Sequence, residues 1–303
     1  MFCETNYRKM TTTGKEKIAF IVNPISGGRS KKGFEEMVRK SLNLSNFDPI
    51  ISYSEKPGHA SDLAKEALAK NIKKIIAVGG DGTVNEVAKM LINSDAALGI
   101  IPFGSGNGLA RHMGISLDPA KAIEQLNSAT IKINDAGVIN GMPFFCTSGM
   151  GFDAHIGKIF ATLKGRGFIG YVKAVLKEFA SYKPQQYKLI VNGVATTKNA
   201  FLITFANASQ YGNNAYIAPQ ADVADGKLDV CILRPFPVYS MPALALRVFN
   251  KTADKSSFME TMKGTEITIE RESSGPIHLD GEPFETGKEI KIEIIPACLK
   301  ILV

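Results

Sequence analysis

The segment Ile75-Ile76-Ala77-Val78-Gly79-Gly80-Asp81-Gly82-Thr83-Val84-Asn85-Glu86-Val87 constrains the fold of this 303-residue chain more than any other. A short β-branched, apolar run reads as a buried strand, and three glycines within four positions end it. An amphipathic helix is predicted to begin at Val84. Glycines at a strand-to-helix turn permit positive φ and let backbone N–H groups approach a ligand closely. The amino end of the following helix carries partial positive charge, so the turn suits an anion. Asp81 places a carboxylate inside that turn, and Thr83 adds a hydroxyl donor. Such a carboxylate repels a phosphate unless it serves a metal or a proton, which points to phosphoryl chemistry.

The surrounding rhythm points the same way. Strand patterns at 17–22, 49–53, 73–78 and 98–101 alternate with helical patterns at 31–42, 60–70 and 84–92. This alternation predicts a parallel sheet with crossover helices, in which ligands collect at the carboxyl ends of the strands. Three glycine-rich loops fall at such ends: Asn23-Pro24-Ile25-Ser26-Gly27-Gly28, Gly79 to Thr83, and Pro102-Phe103-Gly104-Ser105-Gly106-Asn107-Gly108. Beyond about residue 131 short alternating strands dominate, at 133–139, 143–147, 187–191, 200–206, 227–233, 266–271 and 289–294. Asn140-Gly141 and Asn192-Gly193 supply hairpin turns. This half predicts an antiparallel β-sandwich.

Two segments interrupt it. Residues 155–183 carry Lys158, Lys164, Arg166, Lys173, Lys177 and Lys183 against one acid, Glu178, and 237–263 is a second helical candidate. A basic amphipathic segment suits an anionic bilayer, and equally an ordinary surface helix packed on the sandwich. Residues 165–170 match a dinucleotide fingerprint in form, but they follow no strand and open no βαβ unit, so the match is coincidental. The net charge of +7 admits polyanionic ligands or an anionic membrane surface. Without tryptophan or a basic run interleaved with aromatics, nucleic acid is not an expected partner. Four scattered cysteines and an amino terminus without an apolar core predict a cytoplasmic address and a loose tail over 1–16.

Walker A, zincin and protein-kinase signatures are missing from the sequence, so a nucleotide site would be built from backbone amides. Six motifs occur in one order: Asn23-Pro24-x-Ser26-Gly27, Gly79 to Val87, Gly104-Ser105-Gly106-Asn107, Gly151-Phe152-Asp153-Ala154, Asp225-Gly226-Lys227-Leu228-Asp229 and Asp280-Gly281-Glu282. In this they resemble the diacylglycerol kinase and sphingosine kinase family, in its bacterial lipid-kinase branch. The resemblance implies an α/β nucleotide-binding domain at 17–131, completed by a returning segment at 290–303. A β-sandwich for the lipid substrate occupies 132–289.

It further implies a kinase using ATP and Mg²⁺, peripheral to the membrane, acting on a lipid primary hydroxyl. A homodimer is compatible with it. Asn23, Ser26, Gly79, Gly80, Gly82, Thr83, Ser105, Gly106 and Asn107 would hold the nucleotide. Asp280 would be the general base, with Glu282 and Asp81 beside it, Asp81 helping to organise the metal. A second-domain metal would sit on Asp225, with Asp222 and Lys227 contributing. Asp280-Gly281 and Asp225-Gly226 are equally ordinary turns. Gly108 stands where several bacterial diacylglycerol kinases carry an acid, which leaves the acceptor open between diacylglycerol and a sphingoid base. The alternatives are an NAD-kinase-like enzyme with a soluble acceptor and a nucleotide-binding module without turnover.

Overall fold

A computed structural model describes residues 14–28, 30–162, 177–179 and 181–303. The fingerprint-like 165–170, most of the basic run within 155–183, and residues 1–13 of the tail lie outside these. Four aliphatic runs form parallel strands β1 (Glu16–Val22), β2 (Phe47–Tyr53), β3 (Lys74–Gly79) and β4 (Ala97–Pro102), in the order β2-β1-β3-β4. Helices α1 (Phe34–Ser41), α2 (His59–Ala69) and α3 (Asp81–Leu91) make the crossovers. Short helices α4 (Gly108–His112) and α5 (Pro119–Gln125) follow. α1 packs with α5, and α2 with α3. Ile75, Ile76, Ala77 and Val78 are fully buried, as expected for a parallel strand covered by helices. α3 starts at Asp81, three residues before the predicted Val84, because extended Gly80 (φ −99°, ψ −171°) turns the chain directly into the helix.

The second half supplies β5 (Ile131–Ile139), β6 (Met142–Phe144), β7 (Thr147–Gly151), helix α6 (Phe152–Thr162), β8 (Gln185–Val191), β9 (Val194–Ala200), β10 (Leu202–Ala206) and β11 (Leu228–Leu233). Helix α7 (Met241–Phe249), β12 (Met259–Gly264), β13 (Glu266–Arg271), β14 (Gly275–Leu279), β15 (Glu282–Thr286) and β16 (Glu289–Leu302) complete it. A six-stranded antiparallel sheet, β12-β11-β10-β7-β14-β15, faces the β16-β13-β8-β9 side of the large sheet. Met150, Ile203, Phe205, Val230, Ile232, Ile277 and Leu279 from the first meet Leu189, Ile267, Ile269, Ile290 and Ile292 from the second in one buried core.

β16 belongs to both halves. Its first residues pair antiparallel with β13, and Lys300 and Ile301 pair parallel with β4. Its partner β5 shifts register between Ile295 and Leu299, where Ala297 takes φ +50° and donates its N–H to the buried carboxylate of Asp135 at 2.7 Å.

Two expectations need correction. The strand predicted at 143–147 is two strands, β6 and β7, because the glycines of Thr147-Ser148-Gly149-Met150-Gly151 hide the apolar pattern. A Cβ on Gly149 would lie 2.8 Å from the Ile203 carbonyl oxygen and 2.7 Å from Asp153 Oδ2. The helical segment predicted at 237–263 is helical only through Phe249 and Ala253–Lys255, and it ends in β12.

Candidate active site

The three glycine loops meet at the carboxyl edge of the parallel sheet. A Cβ on Gly27 (φ +63°) would stand 1.8 Å from the Phe103 carbonyl oxygen, and one on Gly104 would stand 2.6 Å from Gly80 Cα. Only glycine allows the backbones to touch at these points. Asn23 donates from Nδ2 to Thr83 Oγ1 at 3.1 Å and accepts from the Ile25 N–H through Oδ1. Ser26 Oγ donates to the Asn23 carbonyl at 3.2 Å. Asn107, in the left-handed region at φ +52°, closes its own loop, accepting from Gly104 N–H and donating to the Gly104 carbonyl at 2.8 Å. Ser105 is exposed at the tip of that loop. No side chain caps the start of α3, so its first N–H groups, around Gly82 and Thr83, are available to an anion.

Asp81 joins two of the loops. Its oxygens accept from Asn107 N–H at 2.9 Å and Gly108 N–H at 2.8 Å. Burial nevertheless pushes its carboxyl up to about 6, and the charge of Asp280 adds to the rise. A raised carboxyl stabilises the fold while protonated. Its contribution is complete below about pH 4 and is lost as pH rises through about 6. That gap corresponds to about 3 kcal/mol. The stability of the wild type minus that of Asp81→Asn, followed by urea unfolding, is expected to fall by up to that amount across the window. A flat difference would show that Asp81 ionises normally.

The sandwich brings the second set of groups. Asp280 and Gly281, at φ +48° and +87°, form the two-residue turn between β14 and β15. Asp280 Oδ1 accepts from Cys146 N–H at 2.7 Å and Thr147 N–H at 3.1 Å. Its Oδ2 accepts from Asn85 Nδ2 at 2.9 Å and Phe145 N–H at 3.0 Å. Burial raises its carboxyl, opposed by these donors. Asn85 lies one turn into α3, so the hairpin tip is tied to the nucleotide-loop helix, and Asn85 also donates to the Pro143 carbonyl at 3.1 Å.

These bonds show how Asp280, the expected general base, is held. Oδ1 accepts from three backbone N–H groups and Oδ2 from two donors, so the carboxylate is fixed in place where the hairpin meets α3. Glu282, the first residue of β15, is exposed, and its Oε1 lies 3.1 Å from where a Gly82 Cβ would stand. Among the described residues no hydrogen bond or ion pair holds its carboxylate.

The candidate metal residues are not drawn to this site. Asp225 Oδ1 accepts from Lys227 N–H at 3.0 Å, and its Oδ2 is paired with the Lys263 ammonium at 2.5 Å. Asp222 accepts from Ala224 N–H. Among the described residues no group of three or more His, Cys, Asp or Glu side chains is placed to hold a metal ion. The loop as folded, with a lysine where a cation would sit, does not fit a resident metal.

Sequence reasoning gave no structural role to three contributors. Buried Lys31 donates to the Ser26 carbonyl and lies over the Phe103 ring at 5.0 Å, binding the first loop to the third. Glu86 accepts from Gly58 and Ala60 N–H groups and fixes the start of α2 against α3. Gly212 (φ +117°) packs on Gly106, where its Cβ would be 2.8 Å from Gly106 Cα. Of these only Glu86 lies in a motif, and its bonds to Gly58 and Ala60 are not encoded there. Asp153 lies in a buried cluster with Thr204, Tyr211 and His278, whose Nε2 is 3.2 Å from Asp153 Oδ2. His155 pairs instead with Glu178 at 3.1 Å.

Residues 17–139 match the diacylglycerol kinase catalytic domain, and 147–303 match the YegS C-terminal NAD kinase beta sandwich-like domain. A protein of Pseudomonas aeruginosa strain UCBPP-PA14, named a probable YegS-like lipid kinase, is 30% identical over 248 residues, covering 80% of this chain and 81% of that one. The diacylglycerol kinase of Mycobacterium tuberculosis is 26% identical, covering 94% of each. The crystal structure of a diacylglycerol kinase from Bacillus anthracis superposes with a TM-score of 0.73 at 22% identity, covering 94% of this chain and 96% of that one, and so shares the fold. With both of its halves matched in order, the chain belongs to the kinase family that joins a diacylglycerol kinase catalytic domain to a YegS-type β-sandwich.

Proposed function

We propose that this enzyme transfers the γ-phosphoryl group of ATP to a primary hydroxyl of a lipid of the diacylglycerol or sphingoid-base type. One observation carries the reading: the hairpin of the lipid-side sheet sets Glu282 against Gly82 of the phosphate loop. In the reaction Glu282 takes the proton of the acceptor hydroxyl as its oxygen bonds to the γ-phosphorus. The bond from that phosphorus to the bridging oxygen breaks, and ADP leaves. Backbone amides of the three loops orient the phosphates, which suits a reaction that depends mostly on positioning and charge neutralisation. ATP is taken as its Mg²⁺ complex, which supplies charge neutralisation at the phosphates.

Labelled γ-phosphate from ATP, offered with a total lipid extract and separately with NAD, is expected to appear in a chloroform-soluble product. Mass spectrometry of that product then names the acceptor. Label in NADP without a lipid product would replace this reading with that of a soluble-acceptor kinase. ATP binding without turnover on any acceptor would replace it with a binding module.

A further inference from the structure

Helix α7 and the turn before it present apolar side chains outward with nothing packed on them among the described residues. Val238 is 67% exposed, Tyr239 83%, Leu246 62% and Phe249 45%, and α7 contains no buried residue. Pro242, Ala245, Leu246 and Phe249 share the outward face, while Met241, Leu244 and Val248 share the inner one. A helix apolar all round is at home in a core or in lipid, not against water. Its inner side joins an aromatic cluster, in which Leu244, Phe236, Phe179 and Tyr182 pack around Phe152 and Phe201. This cluster covers the outer face of the six-stranded sheet, the face that also carries Asp153 and His278.

Charge distinguishes the occupant. No Asp or Glu occurs from 230 to 253, whereas Arg234, Arg247 and Lys251 do, and Lys177 and Lys183 flank Phe179 and Tyr182. Glu178, the acid between them, is paired with His155. No helix among the described residues is long and apolar enough to cross a membrane. Outward aromatic and aliphatic side chains ringed by cations match the interface of an anionic bilayer, where the rings enter the headgroup boundary and the cations meet lipid phosphates. Tyr239, the most exposed, is the amphipathic type that favours this boundary. Pro235, Pro237 and Pro242 hold the protruding turn stiff, which limits the entropy lost on insertion.

We infer that the turn at 234–240 and helix α7 form the membrane-docking surface of this enzyme, seated on anionic lipid. Resting on the lipid-kinase reading, this gives the sandwich half a second role, that of holding the molecule where its acceptor lies.

Flotation with vesicles of phosphatidylcholine, with and without phosphatidylglycerol, tests it on the full chain. The wild type is expected to float with the anionic vesicles and to be released by salt. The variant Tyr239→Ser/Leu246→Gln/Phe249→Gln, altered only at exposed positions, is expected to lose at least about tenfold in vesicle affinity. It should keep wild-type turnover on a short-chain acceptor dispersed in detergent. Lys177→Gln/Lys183→Gln is expected to weaken only the binding to phosphatidylglycerol vesicles. Wild-type vesicle affinity in the triple variant overturns the inference. So does a wild-type dimer that the triple variant dissociates in sedimentation velocity while vesicle binding persists, since the face would then seat a second copy. Absence of turnover by the wild type on the short-chain acceptor would count against the kinase reading instead, with the vesicle result still deciding the docking surface.

Discussion

Glu282→Gln is expected to lower kcat by about 10²–10⁴-fold, the contribution of a positioned base to deprotonating a hydroxyl nucleophile. The unfolding midpoint and the KM for ATP should stay at wild-type values, because the side chain is exposed and no hydrogen bond or ion pair holds it among the described residues. Asp280→Asn is expected to behave differently. An amide at that position keeps one acceptor oxygen but turns its NH₂ toward the donors at Phe145 and Asn85. Leaving such donors unmatched costs roughly 1–3 kcal/mol, so stability falls together with turnover. Steady-state kinetics and thermal melts on the two variants separate the roles. A destabilised Glu282→Gln, or an Asp280→Asn with wild-type stability and no turnover, would return the base to Asp280.

Gly104→Ala carries the second large effect. The new methyl would stand 2.6 Å from Gly80 Cα and 2.7 Å from Asn107 Oδ1, neither of which is the free end of a flexible chain. The third loop must move away from the first helix turn of α3, and a misplacement of about 1 Å costs on the order of 10²-fold in rate. The loss should fall on kcat/KM for ATP and on the affinity for ADP measured calorimetrically. Gly157→Ala on α6, whose Cβ would meet nothing within 4 Å, is the matched control and should leave both unchanged. Wild-type ADP affinity in Gly104→Ala would show that phosphates are held elsewhere.

Much of the nucleotide half is legible in the chain because β1, β3 and β4 are mostly buried, read as aliphatic runs, and lead into glycine-rich loops. Ile75 to Val78 is the clearest case. The sandwich is legible where alternation is clean, as in Glu266–Arg271, and not where glycine and polar residues carry a strand, as in Thr147–Gly151. The β14–β15 hairpin is announced by Asp280-Gly281, yet the role of Asp280 is not. The donors that occupy it lie 133 to 195 residues away along the chain, and no local pattern encodes them. The same holds for Lys31, which looks like one more base at the start of a helix and proves to be buried beneath the first loop.

The last strand has a consequence for how the polypeptide is made. Lys300 and Ile301 lie beside β4, so the sheet that begins at residue 16 gains this neighbour only after every strand of the sandwich has been synthesised. The edge that carries the three glycine loops therefore waits on the ribosome for a segment synthesised after the whole sandwich. Such distant pairing slows folding and leaves the β4 flank open in the nascent chain, where a chaperone or a premature partner would reach it first.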